Sequence, residues 1–168
     1  MTALDGRVRV RQHDRTITFQ VEGWGRMTHG LPVRRFAEQA VAAGATALRV
    51  DLRRCAHMDS TFLGSLLCLK RLADSKLHGD FALVSPSPPC RQLVHQTGLD
   101  TLFRTLDEEE PAAAAWTELV GDIDDPDAFK HNAVQAHEEL AAIPGPAGDV
   151  FRDVLRCLAQ EAPPKSTR

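Results

Sequence analysis

Two adjacent hydroxyls, Ser60 and Thr61, follow an acid in the run His57-Met58-Asp59-Ser60-Thr61-Phe62-Leu63-Gly64. A serine in such a place could attack a substrate, or it could accept a phosphoryl group. Attack from a sharp strand-to-helix turn needs glycine two residues either side of the serine to relieve crowding, and Met58 and Phe62 stand there instead. Phosphoryl acceptance asks less. A phosphate on a hydroxyl at a helix N-terminus meets free backbone amides and the positive end of the helix dipole. It adds roughly −1.5 to −2 of charge and three acceptor oxygens, which a partner docking on that end would feel. Asp-Ser also caps many helices that carry no regulation, so the pair alone marks only a helix start. Other chemistry is poorly provided for. His137-Glu138-Glu139-Leu140-Ala141 has Ala141 where a zinc-protease motif needs its second histidine, and His131 and His137, six apart, do not share a helix face. There is no glycine-rich phosphate loop, so neither a catalytic residue, a metal nor a cofactor is expected.

The elements around Ser60 follow from a change of period. Leu48, Val50 and Leu52 alternate with Arg49, Asp51 and Arg53, which is a strand; Phe62, Leu63, Leu66, Leu67, Leu69 and Leu72 recur at three and four residues, which is an amphipathic helix. Asp59 and Ser60 both suit its N-cap, and His57 reads as a loop residue. Upstream, Arg7–Gln12 and Thr16–Glu22 alternate as two strands of an antiparallel hairpin that forms one edge of the sheet. A helix follows from near Thr28 to Ala43, with Pro32 in its first turn and Gly44 at its end. Downstream, Phe81–Val84 is a short apolar strand, the helix bearing Leu93 and Val94 stops at Gly98, and Leu102–Leu106 is a last strand. Strands separated by such helices make a mixed, mostly parallel α/β sheet with right-handed crossovers, ending near residue 107.

Composition narrows the function classes. The chain has 168 residues, 43% of them hydrophobic, enough for one packed domain and an extension. No window approaches 18 apolar residues and no leader pattern opens the chain, so a cytoplasmic protein away from membranes is expected. The four cysteines are widely spaced and read as reduced thiols, neither bridged nor binding zinc. Residues 1–107 carry 15 Lys+Arg against 10 Asp+Glu, and residues 108–168 carry 5 against 13. A +5 body and a −8 tail favour intramolecular docking. With scattered arginines, 5% aromatics and no tyrosine, nucleic acid is not an expected partner.

The run from Leu48 to Gly64 resembles the strand-loop-helix core of STAS domains, the family of bacterial anti-sigma-factor antagonists. The Phe81–Pro88 strand and loop, followed by Leu93-Val94-His95-Gln96-Thr97-Gly98-Leu99-Asp100-Thr101-Leu102-Phe103, resembles the family's next strand, loop and helix. About residues 7–107 are covered, in the right order. The resemblance implies a STAS fold over residues 1–107 and a binding switch: the unmodified antagonist docks on an anti-sigma factor that is also a serine/threonine kinase, and phosphorylation ends the docking. A serine phosphatase would reset it. The modified serine of the family follows the Asp, which is Ser60 here, with Thr61 the second choice; Asp59, Ser60, Thr61 and Phe62 would form the partner surface. Many members have glycine at the position of Phe62, which would add bulk beside the phosphosite. Two further readings keep the fold: a scaffold component of a larger signalling assembly, and a small-ligand-binding module.

Residues 108–168 read as an acidic helical extension. Glu108-Glu109-Glu110-Pro111 is a linker, and three short helices follow: Ala112–Val120, one opening at Asp125-Pro126 with a stripe of Phe129, Ala133, Ala136, Leu140 and Ile143, and one capped by Asp149 with Val150, Phe151, Val154, Leu155 and Leu158. The stripes pack on the body or on each other, a partner or dimer surface being the alternative. Residues 163–168 are expected to be disordered, and the oligomeric state stays open.

Overall fold

The computed structural model describes residues 5–112, 115–121 and 124–160. The chain begins with β1 (Arg7–His13) and β2 (Thr16–Gly25), joined at Asp14-Arg15, where Asp14 takes a left-handed φ of 51°. Then come α1 (Met27–Ala42), β3 (Ala47–Met58), α2 (Ser60–Lys76), β4 (Phe81–Val84), α3 (Pro88–Gln96), a 3-10 turn (Leu99–Thr101) and β5 (Thr105–Leu106). The extension adds β6 (Thr117–Glu118), α4 (Pro126–Ala141) and α5 (Pro146–Gln160). The sheet order is β5-β4-β3-β2-β1-β6, with β2 to β5 parallel and β1 antiparallel to both of its neighbours. This is the expected mixed α/β sheet with helices and a C-terminal helical extension.

Period-two alternation gives the sheet two unlike faces. Val8, Val10, Ile17, Phe19, Leu48, Val50, Leu52 and Leu83 point into one core with Val33 and Ala37 of α1 and Phe62, Leu66 and Leu69 of α2. The opposite face is polar. Arg7, Arg9 and Arg11 face Glu22, Gln20 and Thr18 across the hairpin, and Gln20 faces Asp51. Arg7 Nε reaches Glu22 at 2.6 Å and Arg53 Nε reaches Asp51 at 2.9 Å. Between β5 and β6, Glu110 and Trp116 lie against this face. Glu110 pairs with Arg54 at 2.7 Å, and the Trp116 ring lies 5.5 and 5.3 Å from the guanidinium groups of Arg9 and Arg11. Gln20, which donates to Glu110 at 3.4 Å, is buried on this face, and so is Asp51 beside Gln20 and Arg53.

Several expectations need correcting. The hairpin is not an edge, because β6 pairs with β1. Among the described residues of 112–120 there is no helix: Thr117 and Glu118 take the ladder that β1 offers, and Trp116 is drawn to the two arginines; residues 113–114 lie outside the described residues. Pro32 stands inside α1, beyond its first turn. The central strand runs on to Met58, so His57 is a strand residue, its ring tilted against Trp24 at 4.8 Å between centroids. The last strand is only Thr105–Leu106, since Leu99–Thr101 winds as a 3-10 turn. The final helix starts at Pro146, which puts Asp149 in its first turn. The side chain of Leu158 and residues 163–168 lie outside the described residues.

The helical tail closes on the body. α4 lies across α1 and α2, and α5 packs on α4. A Cβ at Gly64 of α2 would run into the carbonyl of Ala136, and one at Gly30 would meet Ser65 and Asn132, so these two glycines set how closely the helices approach. Leu140, Ala136 and Ile143 are buried in the seam. Polar contacts lock its sides: Arg34 Nη1 donates to Asn132 Oδ1 at 2.7 Å and to Gln135 at 3.0 Å, and Arg71 pairs with Glu139.

Candidate functional site

Asp59 takes the cap that the sequence offers to either Asp59 or Ser60. One carboxylate oxygen accepts from the Phe62 amide at 2.8 Å and the other from the Met27 amide at 2.7 Å, so a single side chain starts both α2 and α1. Its own amide donates to Gly25 O at 2.9 Å, which fixes the turn out of β3. Ser60 becomes the first residue of α2, exposed, its hydroxyl released from capping. Its amide and that of Thr61 fall among the four that a helix cannot pair internally.

That hydroxyl has a partner 77 residues away. Ser60 Oγ lies 3.0 Å from His137 Nε2 of α4. His137 Nδ1 is 2.7 Å from the Ala133 carbonyl, which can only accept, so Nδ1 carries a proton, and in that tautomer of the imidazole Nε2 accepts from the serine. The imidazole is 6% exposed, with the Phe151 ring of α5 6.5 Å away, centroid to centroid. A hydroxyl, a base and an orienting carbonyl have the form of an activated nucleophile, yet two clefts among the described residues do not open onto them. Those lie between α1 and residues 119–120 and between α1 and α4, and neither is lined by Ser60 or His137.

The other two residues assigned to the partner surface point elsewhere. Thr61 is 6% exposed, and its carbonyl accepts from Ser65 Oγ at 2.8 Å. Phe62 adds no bulk at the surface. It is fully buried, edge-on to His29, and so close to Gly25 that a Cβ there would sit 2.6 Å from the ring. Burial pushes the His29 imidazole below its ordinary value, against opposing effects from the Gly6 backbone and Asp59. His29 Nδ1 accepts from the Arg26 amide at 3.1 Å, as a neutral ring does. Sequence reasoning missed two features here: the Trp24–His57 ring contact with Arg26 over Trp24 at 5.5 Å, and His137. The first could be found only from the parallel register that pairs residues 24 and 57. Glycines 30 and 64 inside helices hinted at the second, because glycine there is costly unless something approaches closely.

Fold and site together define an α/β domain: a mixed sheet whose β3–α2 junction, capped by Asp59, presents an exposed serine, with no metal-holding cluster among the described residues. The model of the family described as "Mlab, STAS domain" matches residues 8–106, more than half of the chain, and the chain belongs to the STAS domain family. Similar solved structures agree on the fold. The anti-sigma factor antagonist SpoIIAA in its unphosphorylated form is 24% identical, over 61% of this chain and 89% of that one, with a TM-score of 0.51. The Bacillus cell fate determinant SpoIIAA in the phosphorylated form is 24% identical, over 61% and 92%, at 0.52. An anti-sigma factor antagonist from Mycobacterium paratuberculosis is 26% identical, over 60% and 85%, at 0.50. No curated protein matches the chain. No helix among the described residues is long and apolar enough to cross a membrane.

Proposed function

We propose that this chain is an anti-sigma-factor antagonist-like regulatory protein of the cytoplasm, a binding module and not an enzyme. Its partner is an anti-sigma factor that is also a serine/threonine kinase, and phosphorylation of Ser60 switches the docking off, with a serine phosphatase to restore it. The observation that carries this reading is the division of labour at the β3–α2 junction: Asp59 does the capping, so Ser60 stands exposed at the first position of α2, its hydroxyl bonded to His137 and not to the helix it starts. A phosphate there would meet the N-terminal amides and change the charge of the surface around Asp59, Arg26 and Trp24 without unfolding the domain. Thr61, being buried, is the poorer acceptor. Intact-mass and phosphopeptide mapping of protein isolated from its own cells tests it: phosphate on Ser60 is expected, and protein with no phosphate there across growth conditions overturns it.

A second reading, a scaffold component of a larger assembly, is favoured by one observation. α4 covers the flank of α2 at Gly64 and Ser65, so part of the face next to Ser60 is already occupied from within the chain.

A further inference from the structure

The Ser60–His137 contact joins the regulated end of the domain to a tail that lies outside the family match, and it is built for only one state of the serine. With Nδ1 committed to Ala133 O, the imidazole in that tautomer offers a lone pair at Nε2, and the Ser60 hydroxyl supplies the proton. Phosphoryl transfer from a nucleoside triphosphate forms an Oγ–P bond, breaks the bond from the γ-phosphorus to the bridging oxygen, releases the diphosphate and sends the hydroxyl proton to solvent. Oxygen acceptors then face a buried nitrogen acceptor, and a 3.0 Å gap must admit a phosphorus with three oxygens. A buried polar atom stripped of its partner costs more than the bond was worth.

The helices cannot absorb this by sliding inward. The Ala136 carbonyl, one residue before His137, already presses on Gly64, and Asn132 lies 3.4 Å from Ser65 Oγ across the buried floor. A shift of α4 that makes room for the phosphate therefore runs away from α2. The residue after His137, Glu138, adds like charge to the phosphate's own, whereas Glu139 is paired with Arg71. We propose that α4 and α5 form a phosphate-responsive cover over the Ser60 end of α2: His137 holds the cover down on the unmodified hydroxyl, and phosphorylation of Ser60 lifts it, exposing the groove between α1 and α2 floored by Gly30, Gly64 and Ser65.

This rests on Ser60 being the phosphosite, but its test does not depend on finding the kinase. Full-length protein is made with phosphoserine installed at position 60 during translation, and amide hydrogen exchange is compared with the unmodified chain. Exchange over residues 126–157 should rise about tenfold or more in the phosphorylated chain, while β2, β3 and β4 keep their protection, as expected for local opening of one cooperative unit. Ser60→Ala removes the proton donor without adding bulk or charge and should raise exchange there by a smaller factor, on the order of fivefold for the loss of a hydrogen bond of about 1 kcal/mol. Unchanged protection overturns the proposal. So does increased protection, which would mean that a protonated His137 clasps the phosphate. An opening as large in Ser60→Ala as in the phosphorylated chain also overturns it, since the phosphoryl group would then not be the trigger. Any of these results leaves the phosphosite itself to the mapping experiment.

Discussion

Two pieces of the C-terminal extension cover the body, and they hold on by different physics. α4 sits on α1 and α2 through close packing: buried Ala136, Leu140 and Ile143, two helix glycines at the crossing, and a few directed bonds. The described residues of 107–118 hold on through charge: Glu110 on Arg54 and Trp116 against Arg9 and Arg11 on the polar sheet face, and Asp107 on Arg91 of α3 at 2.6 Å. The expectation of electrostatic docking between a basic body and an acidic tail therefore describes the strap well and the helix poorly. Apolar burial is nearly indifferent to salt, whereas exposed ion pairs are screened over about 8–10 Å at ordinary ionic strength.

The largest predicted effect lies on the packed side. Gly64→Ala improves helix propensity by about 1 kcal/mol but places its methyl against the Ala136 carbonyl. An overpacking cost of about 1–3 kcal/mol should outweigh the gain. Urea unfolding should show a net loss, with faster exchange confined to α4 and α5. A stabilised protein would mean that α4 is not held where Gly64 meets it.

On the charged side, Glu110→Gln should loosen the strap with little change in global stability. The Arg54 guanidinium beside it holds the Glu110 carboxyl below the usual carboxylate range, so the pair is made at neutral pH. Both partners are substantially exposed, and the loss is correspondingly small. Raising salt on the unmodified chain should speed exchange in 107–118 and leave 126–141 alone. Equal sensitivity of the two segments would erase the distinction between them.

The body was legible because its elements are long enough to show a period. β2, β3 and α2 span 10, 12 and 17 residues, and the switch from alternation to three-and-four spacing falls at Asp59 itself. β6 was not, because two residues carry no period and it exists only because β1 leaves a ladder open. The direction of Phe62 was hidden for a related reason. Beside the phosphosite in sequence, it lies on the core side of α2, and what accepts its ring is Gly25 from another strand. His137 looked like a failed metal motif; its role comes from a helix crossing that no local pattern encodes.

The smallest effect separates the site from both covers. His29 is neutral in the fold because burial lowers its pKa from an ordinary 6.5, so the unfolded chain binds a proton more readily. Stability should decline as pH falls below about 6.5 and level off once the folded-state value is passed. His29→Gln should flatten that part of the pH profile of urea unfolding; an unaltered profile would assign the slope to another group.

The central claim is that Ser60 switches binding, and a quantitative pull-down tests it most directly. Full-length chains with Ser60, with Ser60→Ala and with phosphoserine 60 are each used as bait in a lysate of the protein's own cells. A serine/threonine kinase of the anti-sigma type should be retained by the first two and lost from the third. Equal retention of that kinase by all three chains would contradict the switch.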